Sequence, residues 1–270
     1  MERDCRESVG VAVAYSIGVS IAFVGSLYLF VPSRIRSLSR DDPLQIKWRS
    51  GAVAIACWVS WVAYPFQGCR SIPTLLSTEE LGSVALVLLQ TMSLYLGSLV
   101  ALILEEVGHL RRWQRLSIGS LCRCVAFRLI GPPSWIIFRN LFFAPLVEEW
   151  VFRACIVSAL AATDWSRRGV VLTAPLFFGV AHVHHGFVQW RRGVPGPTAL
   201  VQTLFQFTYT TLFGVYTSYV YYQTGSFAAI ALSHAFCNMM GVPNVTLSSP
   251  WLSLAHVGGF VLFVGIVRFV

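Results

Sequence analysis

The chain has 270 residues, of which 56% are hydrophobic and only 12% charged, against about a quarter charged in an ordinary soluble domain. With 20 basic and 12 acidic side chains and a mean hydropathy of +0.66, it cannot clothe a soluble globule in polar surface. The apolar content excludes a disordered chain and the 21 glycines follow no fixed period, which leaves an integral membrane protein.

The first apolar run, 9–31, carries no charge. It is long enough to cross a hydrocarbon core of about 30 Å and exceeds the apolar region of a cleavable signal, so a retained first transmembrane helix is expected. Further apolar blocks occupy 51–66, 81–104, 135–162, 169–183, 198–223, 226–241 and 251–270, giving eight predicted spans. Pro145, Pro175 and Gly214 fall inside them and predict kinked or broken helices. A bilayer accepts such breaks where protein or a water-filled cavity satisfies the freed backbone groups. The expected fold is therefore all-α: a polytopic transmembrane helical bundle of about eight spans, with a cavity open to the cytosol and the bilayer. Residues 1–134 supply the amino-terminal helices and a basic loop, residues 135–270 the chemistry-bearing helices, in one compact domain.

The net charge of +8 is scattered between apolar blocks instead of forming the stripe that nucleic acid requires, so no nucleic-acid partner is expected. It reads as topology signal and lipid contact. Arg34, Arg36, Arg40, Lys47 and Arg49 crowd the first loop and Arg111, Arg112, Arg115, Arg123 and Arg128 the third. The amino terminus has Arg3 and Arg6, and the second loop has Arg70. Loops one and three are expected in the cytosol, with the amino terminus outside, and Arg191 and Arg192 fall on the cytosolic side; Arg167 and Arg168 run against this pattern. The seven cysteines are odd in number and three of them, Cys57, Cys155 and Cys237, lie in apolar blocks, which argues against a disulfide framework.

Ionisable groups in apolar blocks cost about 2.5 to 3.5 kcal/mol each on insertion scales and point to function. The densest set is Glu148, Glu149 and Arg153. On a helix Glu149 and Arg153 are i and i+4, a natural ion pair, while Glu148 turns about 100° away. One glutamate is expected to support structure and the other to act; a contact between helices or a place at the water interface would also explain Glu148. His182 closes the 169–183 block, with His184 and His185 leading into the Arg191 loop. His234 and Asn238 share a helix face and can converge on one point, whether a reacting group or a polar bridge between helices. Glu106 and His109 have Glu-x-x-His spacing, but a di-metal bundle needs that motif twice, so a solvated helix end is expected.

Together these residues match the requirements for water attack on a carbonyl: a base, a second acid-base group and two donors aimed at one spot. Amide hydrolysis within the membrane is the leading expectation. A Glu and two His equally suit a catalytic zinc, and that alternative stays open at this point. A proton-coupled transporter would also keep such groups at membrane depth, although no repeated half is present; a non-enzymatic lipid-binding or scaffold protein would tolerate replacement of Glu148.

Three blocks carry a resemblance. Glu148-Glu149-Trp150-Val151-Phe152-Arg153, Phe178-Gly179-Val180-Ala181-His182 and His234-Ala235-Phe236-Cys237-Asn238 stand in the order of the Glu-Glu-x-x-x-Arg, Phe-x-x-x-His and His-x-x-x-Asn blocks of a known family. The chain resembles the type II CAAX prenyl endopeptidases, the Ras-converting enzymes within the glutamate intramembrane proteases, in their eukaryotic branch. The likeness covers 139–243. It implies removal of the carboxyl-terminal tripeptide from prenylated CAAX proteins such as small GTPases, at the endoplasmic reticulum membrane and without a cofactor. By carry-over, Glu148 and His182 activate water, His234 and Asn238 stabilise the oxyanion, and Glu149 and Arg153 support them.

Overall fold

The computed structural model describes residues 8–66, 78–112, 117–243 and 249–267, with side chains from 81 in the second stretch. The basic residues Arg3, Arg6, Arg70 and Arg115, and Cys5 and Cys69, lie outside the described residues. No disulfide joins the described cysteines. Regular structure among the described residues is helical, as composition predicts.

The chain divides into two compact units that interleave in sequence. The first comprises 1–75 and 146–227, the second 76–145 and 228–270.

In the first unit, α1 (Val9–Leu29) leads through a short α2 (Ser33–Arg36) to α3 (Pro43–Val62). The start of α3 is set by Asp42, whose carboxylate accepts from the backbone N–H of Leu44 at 2.8 Å, with Pro43 in the first turn. The buried face of α1 is Ala12, Ser16, Val19, Phe23 and Ser26. Its serines are tolerated there because Ser16 and Ser26 donate back to the carbonyls of Ala12 and Phe23, each at 2.7 Å. Tyr15 donates to the Ser60 carbonyl at 2.6 Å, tying α1 to α3.

Two π-helical turns, π1 (Phe138–Phe143) and π2 (Trp150–Val157), stand in sequence on either side of α8 (Ala144–Glu149), and the division between the units falls inside α8. After π2 come α9 (Ser158–Ala161), α10 (Arg167–His182), α11 (His184–Arg191) and α12 (Gly196–Thr224). Ser166 caps α10 by accepting from Gly169 N–H at 3.1 Å. At its far end α12 stops at Gly225, whose φ of 65° is left-handed. Close approach of α10 and α12 depends on small residues: a Cβ on Gly214 would lie 2.9 Å from Pro175 Cβ and one on Gly179 would collide with Thr211.

In the second unit, α4 (Thr78–Leu94) and α5 (Leu96–Arg112) meet at a bend of 74°. The predicted 81–104 span is thus two helices. Tyr95 at the bend packs edge-on against Phe236, 5.5 Å between centroids, and donates to the Gly241 carbonyl at 2.8 Å. These contacts fasten α13 (Phe227–Met240) to the bend, and Thr91 adds a 3.1 Å hydroxyl contact to Ser233. The carboxyl-terminal α14 (Pro250–Ile266) packs on both α4 and α5, with Gln90 donating to the Phe263 carbonyl at 3.1 Å. α6 (Ile118–Ile130) lies against α5, and α7 (Trp135–Ile137) runs into π1.

Glu106 corrects one expectation. Its side chain is buried, not solvated, because Arg128 on α6 reaches back to both Glu105 at 3.1 Å and Glu106 at 3.4 Å.

Among the described residues two helical stretches are long and apolar enough to cross a membrane, Val9–Leu29 and Arg167–Arg191, and the bent pair makes a third if it is one span. The short predicted 169–183 block is extended by α11 into a stretch of 25 residues. α12 has the length, 29 residues, but Gln202, Gln206 and Gln223, with its tyrosines and threonines, lower its hydropathy.

Candidate functional site

The predicted site residues fall in both units. In the first are Glu148, Glu149, Arg153 and His182.

Glu149 ends α8 and Arg153 sits one turn on, in π2. Arg153 Nε lies 3.1 Å from Glu149 Oε2, with both side chains 1% exposed or less. The predicted i, i+4 pair is therefore present and fully buried. It is a charge contact that is poorly aligned as a hydrogen bond, and none of the guanidinium nitrogens of Arg153 donates to an acceptor among the described residues. The guanidinium lies instead over aromatic rings, 4.5 Å from the Phe178 centroid and 6.0 Å from that of Phe213. Gly214 lies beside it, where a Cβ would come to contact distance, 3.4 Å, of Arg153 Nη2.

Glu148 differs from its neighbour. It is half-buried where Glu149 is buried, so the residue turned away from the ion pair is the one that reaches an open side. Its backbone neighbourhood is held by Cys57 of α3, whose thiol approaches the Val147 carbonyl at 3.8 Å, and by Trp61 against Trp150 at 4.7 Å. The π2 turn begins directly after Glu149, and wide turns of this type are frequent at functional sites.

His182 ends α10 and is half-buried. Its Nδ1 lies 2.8 Å from the Phe178 carbonyl. A carbonyl only accepts, so Nδ1 carries the proton and Nε2 of the neutral ring keeps its lone pair. That leaves His182 able to take a proton at Nε2. His184 makes the same kind of bond to Ala181 at 2.6 Å and packs edge-on to Tyr28, while the His185 ring lies 4.0 Å from that of His184, tilted by 42°. The two are thus built into the start of α11, not a loop.

In the second unit His234 is buried and Asn238 exposed, one turn apart on α13. Asn238 Nδ2 donates to the Asn140 carbonyl at 2.9 Å. Asn140 lies in π1, and its own amide oxygen accepts from Arg139 Nε at 2.9 Å. Sequence reasoning missed Asn140 and Arg139; the available signal was a second polar group in the 135–162 block, ahead of Glu148, Glu149 and Arg153. Bound in this way, Asn238 retains a second N–H that can meet a developing negative charge.

Among the described residues no group of three His, Cys, Asp or Glu side chains is arranged to hold a metal ion. Each unit also carries a cavity away from these residues. One, about 590 Å³, follows α3 past Leu44, Lys47, Trp48 and Ile55; the other, about 1120 Å³, lies between α5 and α6 beside Glu106, His109, Arg123 and Arg128.

Residues 130–240 match the family described as Type II CAAX prenyl endopeptidase Rce1-like. The chain is 35% identical to the probable CAAX prenyl protease 2 of Schizosaccharomyces pombe, over 83% of this chain and 78% of that one. It is 35% identical to CAAX prenyl protease 2 of Homo sapiens, over 87% and 72% respectively, and 29% identical to that of Arabidopsis thaliana, over 96% and 89%. No solved structure matches the chain. The family match spans all three blocks and the alignments extend well beyond it, so the chain belongs to the type II CAAX prenyl endopeptidase family.

Proposed function

We propose that this protein is an intramembrane endopeptidase that removes the carboxyl-terminal tripeptide from prenylated CAAX proteins, small GTPases among them, at the endoplasmic reticulum membrane. The observation that carries the reading is the contrast at α8: Glu149 is locked in a buried ion pair while the adjacent Glu148 is half-exposed, on a chain whose relatives are named CAAX prenyl proteases.

In this reading Glu148 takes a proton from water, assisted by the lone pair of His182 Nε2, and the hydroxide oxygen bonds to the scissile carbonyl carbon. The carbonyl electron pair moves to oxygen, where N–H donors of His234 and Asn238 receive the negative charge. Collapse of this intermediate breaks the C–N bond, and the proton held by Glu148 passes to the leaving amine. A carboxylate base near neutral operating pH needs no metal to do this. The prenyl chain holds the substrate in the bilayer at about 0.8 kcal/mol per buried methylene, which accounts for a protease on membrane helices. The full reading includes about eight spans, an amino terminus outside, and a cavity open to the cytosol, where the substrate proteins reside.

The test is release of tripeptide from a farnesylated reporter peptide by membranes containing the protein. Wild type cleaves, and Glu148→Ala and His182→Ala do not. No release by wild type removes the enzyme reading; normal release by Glu148→Ala removes the assigned base. Loss with a chelator, restored by zinc, would make Glu148, His182 and His234 metal ligands instead.

A further inference from the structure

Phe178 is 2% exposed and is held on several sides. The Arg153 guanidinium carbon stands 4.5 Å from its ring centroid. The His182 imidazole meets the same ring at 4.6 Å between centroids, with the planes 76° apart. Phe152 packs against it at 5.0 Å and is backed in turn by Phe23 of α1 at 5.5 Å. The backbone carbonyl of Phe178 is also the acceptor of His182 Nδ1–H. One residue therefore grips the imidazole twice, by its ring and by its carbonyl, and its ring in turn touches a buried cation.

That cation has unusual dependence on the ring. Arg153 is 1% exposed and its nitrogens make no aligned hydrogen bond among the described residues, so its charge is met by Glu149, by the nearby Glu148 and by aromatic faces. A desolvated guanidinium over a ring face is held by the ring quadrupole, more strongly than at a wet surface. The ring cannot slide off the cation without losing that attraction, and the imidazole cannot tilt without moving against the ring.

We propose that Phe178 is the positioning residue for His182, joining the buried Glu149–Arg153 pair to the imidazole so that its orientation and its Nδ1–H tautomer are fixed. The pair thereby acts on chemistry it does not touch. This rests on the reading of His182 as an acid-base group, and it deepens that reading: the glutamate and arginine of the first block serve the histidine of the second through the phenylalanine between them.

The experiment uses the full-length protein in lipid nanodiscs, with phenylalanine at 178 replaced by its 4-fluoro, 3,5-difluoro and 3,4,5-trifluoro forms, which drain the ring face of negative potential at nearly constant size. Phe178→Leu and Phe178→Tyr complete the series. Two readouts are taken: kcat and KM on a farnesylated peptide, and the 15N resonances of His182, assigned by difference with His182→Gln. With progressive fluorination kcat falls, by about tenfold at the trifluoro form, the scale of one cation–π contact, and by more than the accompanying fall in the thermal midpoint accounts for, while KM holds. Wild type gives a single Nδ1–H tautomer, Phe178→Leu a mixture, and Phe178→Tyr restores the single form. A kcat indifferent to fluorination, or a loss that follows the thermal midpoint alone, overturns the proposal. So does an unchanged tautomer in Phe178→Leu, and that result is read whether or not the protein cleaves the peptide. Failure of the protease reading shows separately, as no turnover by wild type.

Discussion

Glu149 and Arg153 lie 3.1 Å apart with both side chains withdrawn from solvent, whereas Glu148, one residue before Glu149, is half-exposed. Two adjacent carboxylates thus have different surroundings, decided by which way a helix turn points them.

The buried pair predicts a cost for breaking it. Glu149→Ala or Arg153→Ala alone strands an uncompensated charge, and destabilisation by about 3 to 5 kcal/mol is expected. Replacing both with methionine removes both charges and keeps the volume, so the double variant is expected to unfold at a higher temperature than either single one. Thermal unfolding in nanodiscs measures this.

Glu148→Gln is expected to do the opposite. It retains shape at a half-exposed position, so the thermal midpoint stays within the scatter of wild type, while loss of the base lowers turnover by about 100-fold to 10,000-fold. The pairing of a normal melt with lost turnover is what to look for.

Glycine positions give predictions of opposite sign. Gly214→Ala drives a Cβ to 2.9 Å from Pro175 Cβ and 3.3 Å from its Cα, which cannot retreat far; a loss of about 1 to 3 kcal/mol is expected. Gly108→Ala, in α5, has nothing within 4 Å of the new Cβ and is expected to gain up to about 1 kcal/mol from helix propensity. Thermal midpoints of the two variants should move apart.

Asn238→Ala removes both the bond to the Asn140 carbonyl and the remaining N–H donor. A kcat loss of about 100-fold to 1,000-fold is expected for a missing oxyanion donor, with KM little changed. Steady-state kinetics on the farnesylated peptide separates the two constants.

Sequence periodicity was enough to see the Glu149–Arg153 pair and the shared face of His234 and Asn238, because both depend on neighbours four residues apart. Pro175 and Gly214, expected to kink or break their helices, lie instead within the uninterrupted α10 and α12, where the structure places them against each other. Contacts distant in sequence were not legible: Asn140 meets Asn238 across 98 residues. Glu106 reads as a solvated end until α6 brings Arg128 back to it. The 74° bend at Tyr95 carries no proline or glycine at the break itself; side-chain contacts to Phe236 and Gly241 hold it, and hydropathy does not register them. The π turns are silent for a similar reason, since a change from i+4 to i+5 pairing alters no residue type.

Those wide turns have a consequence for how the chain tolerates insertion and deletion. A π turn accommodates an additional residue where an α-helix would have none to spare. Removing a single residue from Trp150–Val157 would let the segment relax to α geometry with the helix beyond it close to its original phase, whereas the same deletion in a regular α-helix turns everything beyond it by about 100°. A gap of one in π2 beyond Arg153 should therefore be milder than the same gap in α12, whereas a gap between Glu149 and Arg153 changes the four-residue spacing of their ion pair.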